Sequence, residues 1–229
     1  MLNEMQIIEN FISKDSCDFL IKNFEDTLKE TPNTGIFGGP NQGAETAWHI
    51  GNKNPIISYT ESKDKNIAID LLTSISNSIS RIISEYYGFP VDPRSIFYSK
   101  MIKGARLNEH YDNYEPDGTI FIPSNHDHDI INKLGFEADF SGLLYLNNDY
   151  DGGEIVFPNQ NLSLKPKPGT LIFFTGDMEF PHRVNEVLDG ARYNLVSFFW
   201  KSEYRKKYFD LLNKCNCENS SASEDRTHP

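Results

Sequence analysis

From residue 95 to residue 200 the chain is punctuated like a β-sheet protein, and that rhythm restricts its fold more than any other feature. Eight short runs rich in β-branched and aromatic residues follow one another: SIFYSKMI, LNEHYDN, GLLYLNN, EIVFP, LSLKP, TLIFF, HRVNEV and RYNLVSFFW. Between them sit NDYDGG, PKPG and LDGA, turn clusters with glycine where a positive φ is needed. Many short strands at this spacing, with no helical segment between them, predict a sandwich or barrel rather than a βαβ sheet.

Upstream the period changes. Ile7, Ile8, Phe11 and Ile12 suggest a short strand or turn; Ser13 offers an N-cap, and Phe19, Leu20, Phe24 and Leu28 then recur at helical spacing. The stretch from Thr31 to Gly43 reads as a loop. A second helix carries the apolar stripe Leu71, Ile75, Ile79, Ile82 and Tyr86, and Gly88 with Pro90 ends it. These helices are expected to cover one outer face of the sheet. Residues 114–140 break the strand rhythm and read as a long loop or lid, and the end, NKCNCENSSASEDRTHP, reads as a polar, disordered tail. The expected organisation is a single domain over 1–213, with helical support over 1–92, a β core over 93–200 and a tail over 214–229.

Composition excludes several classes. The 229 residues are 38% hydrophobic and 24% charged, as in a soluble globular protein, and the apolar runs are short of the ~20 residues that cross a bilayer. A net charge of −11 opposes phosphate backbones, so no nucleic-acid partner is expected. The acidic N-terminus does not read as a signal peptide, and Cys17, Cys215 and Cys217 do not form a disulfide framework; a cytoplasmic location is the expectation.

Chemistry concentrates at a few positions. In NEHYDNY, His110 and Asp112 are two residues apart, so an extended strand presents both side chains on one face. Alone this pair is a surface hydrogen bond; with a third donor it is a ligand set. His182 is that candidate donor, in EFPHRVNEVLDGARYN, where Asp189-Gly190 turns the chain and Arg192 opens a return strand. The hairpin is expected to hold His182 and Arg192 on adjacent strands facing one cavity. A buried arginine among Val, Leu and Phe needs an anion, either Glu186 or Asp189 across the hairpin or a carboxylate ligand. Tyr145, within LLYLN, suits either core filling or a hydrogen bond into that cavity. His126 and His128 in NHDHD read as a solvated loop; Trp48-His49 and the terminal cysteines have no assigned role.

Taken together, His110-x-Asp112, Tyr145-Leu146-Asn147, Gly152-Gly153-Glu154, Phe157-Pro158, Lys167-Pro168-Gly169, TLIFF, and His182 with Arg192 resemble the prolyl-4-hydroxylase-like branch of the 2-oxoglutarate- and Fe(II)-dependent dioxygenases. The resemblance runs from about residue 95 to 200, with a further likeness in IIENFISKDSCDFLI. It implies an α+β, mainly β fold, the double-stranded β-helix (a jelly-roll or cupin-like barrel), with N-terminal helices outside. It further implies that His110, Asp112 and His182 bind Fe(II), and that Arg192 and Tyr145 hold the distal carboxylate of 2-oxoglutarate. The activity implied is hydroxylation of a substrate C–H bond by O2, with 2-oxoglutarate converted to succinate and CO2 and ascorbate as an accessory. A peptidyl proline is the favoured acceptor. The alternatives are a free amino acid or small metabolite, more remotely nucleic-acid demethylation, and a non-catalytic cupin-like metal-binding module. One departure stands out: where the family often has a tyrosine before the glycine turn, this chain has Met101, with Tyr98 as a possible substitute.

Overall fold

The structure, a computed structural model, describes residues 4–30, 44–45, 63–112, 140–207 and 210. The expected loop at 31–43, most of the expected lid at 114–140 with His126 and His128, Trp48-His49, and the tail with Cys215 and Cys217 lie outside the described residues.

The chain begins with a strand, β1 (Gln6–Ile8), and a helix, α1 (Lys14–Glu30). Ser13 caps α1 as expected, its Oγ accepting the Ser16 amide at 3.2 Å. The buried face of α1 runs through Cys17, Leu20 and Phe24, while Phe19 is exposed. After β2 (Ala44–Glu45) comes α2 (Lys63–Tyr87), whose buried stripe is Leu72, Ile75, Ile79 and Ile83. Ile75 and Ile79 are buried as predicted, and the stripe departs from the prediction at its ends, where Leu72 and Ile83 are buried, Leu71 and Ile82 are only half-buried and Tyr86 is exposed. Gly88 takes φ +78° and donates its amide to the Ser84 carbonyl, which ends the helix. The helix's serines act locally. Ser80 Oγ donates to the Val91 carbonyl at 2.5 Å and Ser84 Oγ accepts the Val91 amide at 2.9 Å, so α2 clamps the start of the next strand.

The strands that follow are β3 (Val91–Ile102), β4 (Leu107–His110), β5 (Phe140–Tyr145), β6 (Asp151–Gly152), β7 (Ile155–Phe157), β8 (Leu162–Leu164), β9 (Leu171–Thr175), β10 (His182–Val184), β11 (Val187–Asp189) and β12 (Ala191–Lys201). A major sheet has the order β1-β9-β5-β12-β3-β2, a minor sheet β4-β10-β7-β8, and β11 pairs with β6. Every described pairing is antiparallel. β3 includes Pro93, which lacks an amide hydrogen; the register of β12 shifts between Phe198 and Phe199, where Phe199 faces Pro93.

Alternation along the major sheet sorts its side chains into two layers. One face sends Ile96, Tyr98, Phe140, Leu144, Leu171, Phe173, Leu195 and Phe199 into a cluster with α1 and α2. The other sends Leu143, Tyr145, Ile172 and Phe174 against Ile155 and Phe157 of the minor sheet. This is the double-stranded β-helix expected of the sequence, with both helices on one outer face. None of the described helices is long and apolar enough to cross a membrane.

Candidate metal centre and anion pocket

His110 closes β4 and Asp112 lies two residues beyond it; His182 opens β10, and the two histidines are register partners across the minor sheet. Their rings lie 4.4 Å apart. The Nε2 atoms of His110 and His182 stand 3.7 and 3.8 Å from the same oxygen, Oδ1 of Asp112. Among the described residues these three form the one group whose ligand atoms could share a metal ion, all within 4.8 Å of one another.

The protons are placed by the backbone. His110 Nδ1 lies 2.8 Å from the Asn108 carbonyl and His182 Nδ1 lies 3.1 Å from that of Phe180. A carbonyl only accepts, so each Nδ1 carries a hydrogen, which leaves Nε2 as the atom of a neutral ring that presents a lone pair. Burial lowers the His182 pKa below its usual value, against the opposing pull of Asp112; His110 and the Arg192 charge lower it further. The buried imidazole is therefore neutral. With both rings in the neutral form, two lone pairs and a carboxylate oxygen converge, and a cation resolves that arrangement. Ligands bonded at about 2.0–2.2 Å to one ion lie no more than ~4.4 Å apart; both Nε2–Oδ1 separations, 3.7 and 3.8 Å, fall inside that limit, and the full set lies within 4.8 Å, a few tenths of an ångström from it. The residues fit a divalent metal with a two-histidine, one-carboxylate face.

Two supports were not legible in the sequence. Ser141, fully buried on β5, donates its hydroxyl to Oδ2 of Asp112. Phe157, Phe174 and Phe180 wall in His182, the first two with ring centroids 5.5 and 5.1 Å from the imidazole. On the opposite side His110 remains 37% exposed, so among the described residues the centre is closed on the His182 flank and uncovered on the other.

Arg192 is 2% exposed on β12. The expectation that it shares a hairpin with His182 is corrected: HRVNEV splits into β10 and β11, which belong to different sheets, and Arg192 faces His182's layer from the major sheet. Nor does Arg192 pair with Glu186 or Asp189. Its Nη1 donates to Asn194 Oδ1 at 3.0 Å and approaches Met101 Sδ at 3.4 Å; Nη2 donates to the Tyr145 hydroxyl at 3.0 Å. Nε is buried without a partner, and among the described residues no carboxylate answers the charge. Tyr145, fully buried, has its pKa raised by desolvation, against which Arg192 acts. Tyr98 does not replace the tyrosine missing at Met101. It stacks on Phe24 at 4.8 Å in the helix-facing layer, because it lies three positions, an odd offset, from Met101 on the strand.

Comparison with known proteins places this geometry. Residues 96–200 match the family described as the 2OG-Fe(II) oxygenase superfamily. Prolyl 3-hydroxylase 2 of Mus musculus is 41% identical over 66 residues, 27% of this chain and 9% of that protein. The 2-oxoglutarate and iron-dependent oxygenase domain-containing protein 3 of Xenopus tropicalis is 27% identical over 149 residues, 62% of this chain and 43% of that one. This chain thus spans less than half the length of either relative. Among solved structures, a prolyl hydroxylase from Trichoplax adhaerens, in complex with a peptide fragment of the hypoxia inducible factor oxygen degradation domain, superposes with TM-score 0.64 at 20% identity. The match covers 90% of this chain and 87% of that one. A Pseudomonas putida prolyl-4-hydroxylase superposes with TM-score 0.57 at 16% identity, covering 87% and 94%. These two likenesses establish the fold.

Proposed function

We propose, from the match of residues 96–200 to the 2OG-Fe(II) oxygenase superfamily, that this chain is a 2-oxoglutarate- and Fe(II)-dependent dioxygenase of the prolyl hydroxylase type. The observation that carries the reading is a pairing inside one barrel. A convergent His110, Asp112 and His182 set lies within electrostatic reach of a buried arginine that has no acid partner among the described residues.

Each residue has a role in that reading. His110 and His182 offer neutral Nε2 lone pairs, and Asp112 offers Oδ1 as a single anionic ligand. Arg192 and the Tyr145 hydroxyl grip the distal carboxylate of 2-oxoglutarate, whose charge relieves an otherwise uncompensated guanidinium. The phenylalanines around His182 exclude water from the metal's inner side. Fe(II) held there supplies the redox chemistry: one oxygen atom of O2 goes to the acceptor C–H, the other to succinate as 2-oxoglutarate loses CO2.

A prolyl residue in a peptide or protein is the proposed acceptor, supported by the prolyl hydroxylases among its relatives and structural neighbours. The half-exposed flank at His110 is where such a substrate approaches. The test is succinate formation from 2-oxoglutarate with Fe(II), ascorbate and O2, with and without proline-containing peptide libraries. Succinate that rises with peptide, together with a +O peptide product, supports the reading. Succinate that rises only with free amino acids moves the acceptor to a metabolite. No succinate under any condition, with metal bound, leaves a non-catalytic metal-binding module.

A further inference from the structure

Two buried polar groups of this pocket are incompletely satisfied among the described residues: Nε of Arg192 has no partner, and the hydroxyl of Tyr150, which the guanidinium approaches as a donor, finds no acceptor for its own proton. Tyr150 is 3% exposed and sits in an apolar cluster with Met101, Ala105, Val184 and Val187. A hydroxyl proton left without an acceptor in such surroundings is costly. The turn that carries Tyr150 is nevertheless tightly held. Lys165 Nζ donates to the Tyr150 carbonyl and lies 4.7 Å from the ring centroid. At Gly190, with φ +77°, a Cβ would meet Tyr150 Cα at 3.1 Å. Asn147 ties the same turn to β12 through the Ala191 carbonyl at 2.7 Å. The phenol is thus fixed in place. Burial pushes its pKa up to about 12, and the neighbouring Arg192 charge opposes that rise.

The rest of the pocket shows what the hydroxyl lacks. Arg192 and Tyr145 are donors, Tyr145 already accepts from Nη2, and Met101 Sδ is a weak acceptor at best. A carboxylate with about four lone-pair sites is the partner that satisfies Nε and both phenols at once. We propose that the Tyr150 hydroxyl donates a hydrogen bond to the distal carboxylate of the bound 2-oxo diacid, serving as the second phenol of the anion pocket in place of the one Met101 cannot provide. This rests on the function proposed above. It assigns a cosubstrate-binding role to a residue whose sequence context, NDYDGG, marks only a turn.

The experiment is calorimetric titration of 2-oxoglutarate into protein loaded with Mn(II), which binds without turnover, comparing wild type with Tyr150→Phe. Loss of one hydrogen bond to a charged group is expected to weaken binding about ten- to a hundredfold. 2-Oxobutanoate, which has no distal carboxylate, is expected to bind both proteins equally. The ligand-free variant is expected to melt close to the wild-type temperature, since the hydroxyl that is lost accepts from Arg192 but leaves its own proton unpaired. A variant affinity for 2-oxoglutarate within twofold of wild type, or an equal loss for 2-oxobutanoate, would each overturn the role of Tyr150. A wild-type protein that binds Mn(II) but no 2-oxoglutarate would instead overturn the functional reading itself.

Discussion

The hydroxyl of Ser141 donates to Oδ2 of Asp112, joining β5 of the major sheet to the segment that leaves β4 of the minor sheet. The bond divides the labour of one carboxylate. Oδ2 is held by the scaffold, and Oδ1 is left facing both imidazoles. Ser141 thereby selects which oxygen is left free for a metal and fixes its direction.

Ser141→Ala is expected to lower divalent-metal affinity by about ten- to a hundredfold, the usual range for removing a partner that orients a metal ligand. The small hydroxyl leaves little cavity, so thermal stability of the metal-free protein should change little. Titration with Mn(II) under chelator competition measures the effect. An unchanged affinity would mean that something other than Ser141 orients the carboxylate.

Arg192→Met separates stability from binding. A buried guanidinium with no acid destabilises the cosubstrate-free protein, so an apolar side chain of similar length is expected to leave stability equal or raise it by about 1–3 kcal/mol. Lost hydrogen bonds to Tyr145 and Asn194 subtract from that gain. Affinity for 2-oxoglutarate should fall at least a hundredfold while Mn(II) binding is kept. Unfolding midpoints and calorimetry read both. A variant that melts well below wild type and keeps 2-oxoglutarate affinity would show the arginine to be purely structural.

The sequence carried the parts of this site that depend on residue type and spacing. His110 and Asp112 are i and i+2 on extended chain, and an arginine amid apolar neighbours demanded an anion. What it could not carry is the relation between sheets. His182 and Arg192 look like partners in one hairpin because ten residues and an Asp-Gly turn separate them. The chain changes sheets at Asn185-Glu186, and nothing in HRVNEV announces that break. Ser141 was hidden differently. It is in phase with Leu143 and Tyr145, but only the fold shows that this phase faces Asp112. Tyr98 illustrates parity: three residues from Met101 places it on the other face, among the helices, where Phe24 stacks on it. Similarly, α2's stripe departs from the prediction at its ends because the helix packs Leu72 and Ile83 into the sheet, a choice that apolar spacing alone does not set.

Cys17 lies fully buried where α1 packs behind Tyr145, its Sγ 4.0 Å from the Tyr145 carbonyl, and burial raises its thiol pKa to about 11. At pH 8 the nucleophilic thiolate is therefore scarce as well as inaccessible. Peptide-resolved mass spectrometry after iodoacetamide treatment should find Cys17 unmodified in the folded protein and fully modified in denaturant. Modification of Cys17 at native pH 8, at a rate like that of a free thiol, would mean that α1 detaches from the sheet.

The metal-free protein should lose stability on mild acidification, with His182 as a named contributor. Desolvation holds the folded-state pKa of His182 below the ordinary 6.5, so the unfolded chain takes up a proton first as pH falls. Stability tied to this residue is complete above pH 6.5 and is lost as pH drops from there through the folded value. One such proton accounts for at most about 1.4 kcal/mol per pH unit. Asp112, His110 and Arg192 all face the imidazole; Asp112 opposes the shift, while the other two reinforce it. Unfolding midpoints in chelator between pH 8 and 5 should therefore be flat at the upper end and fall below 6.5. His182→Asn should show a shallower fall. Saturating Mn(II) should delay the decline to lower pH, since the metal competes with the proton for the same Nε2. An acid limb of equal slope in wild type and variant would assign the loss to other groups and remove the buried, neutral imidazole from the account of the site.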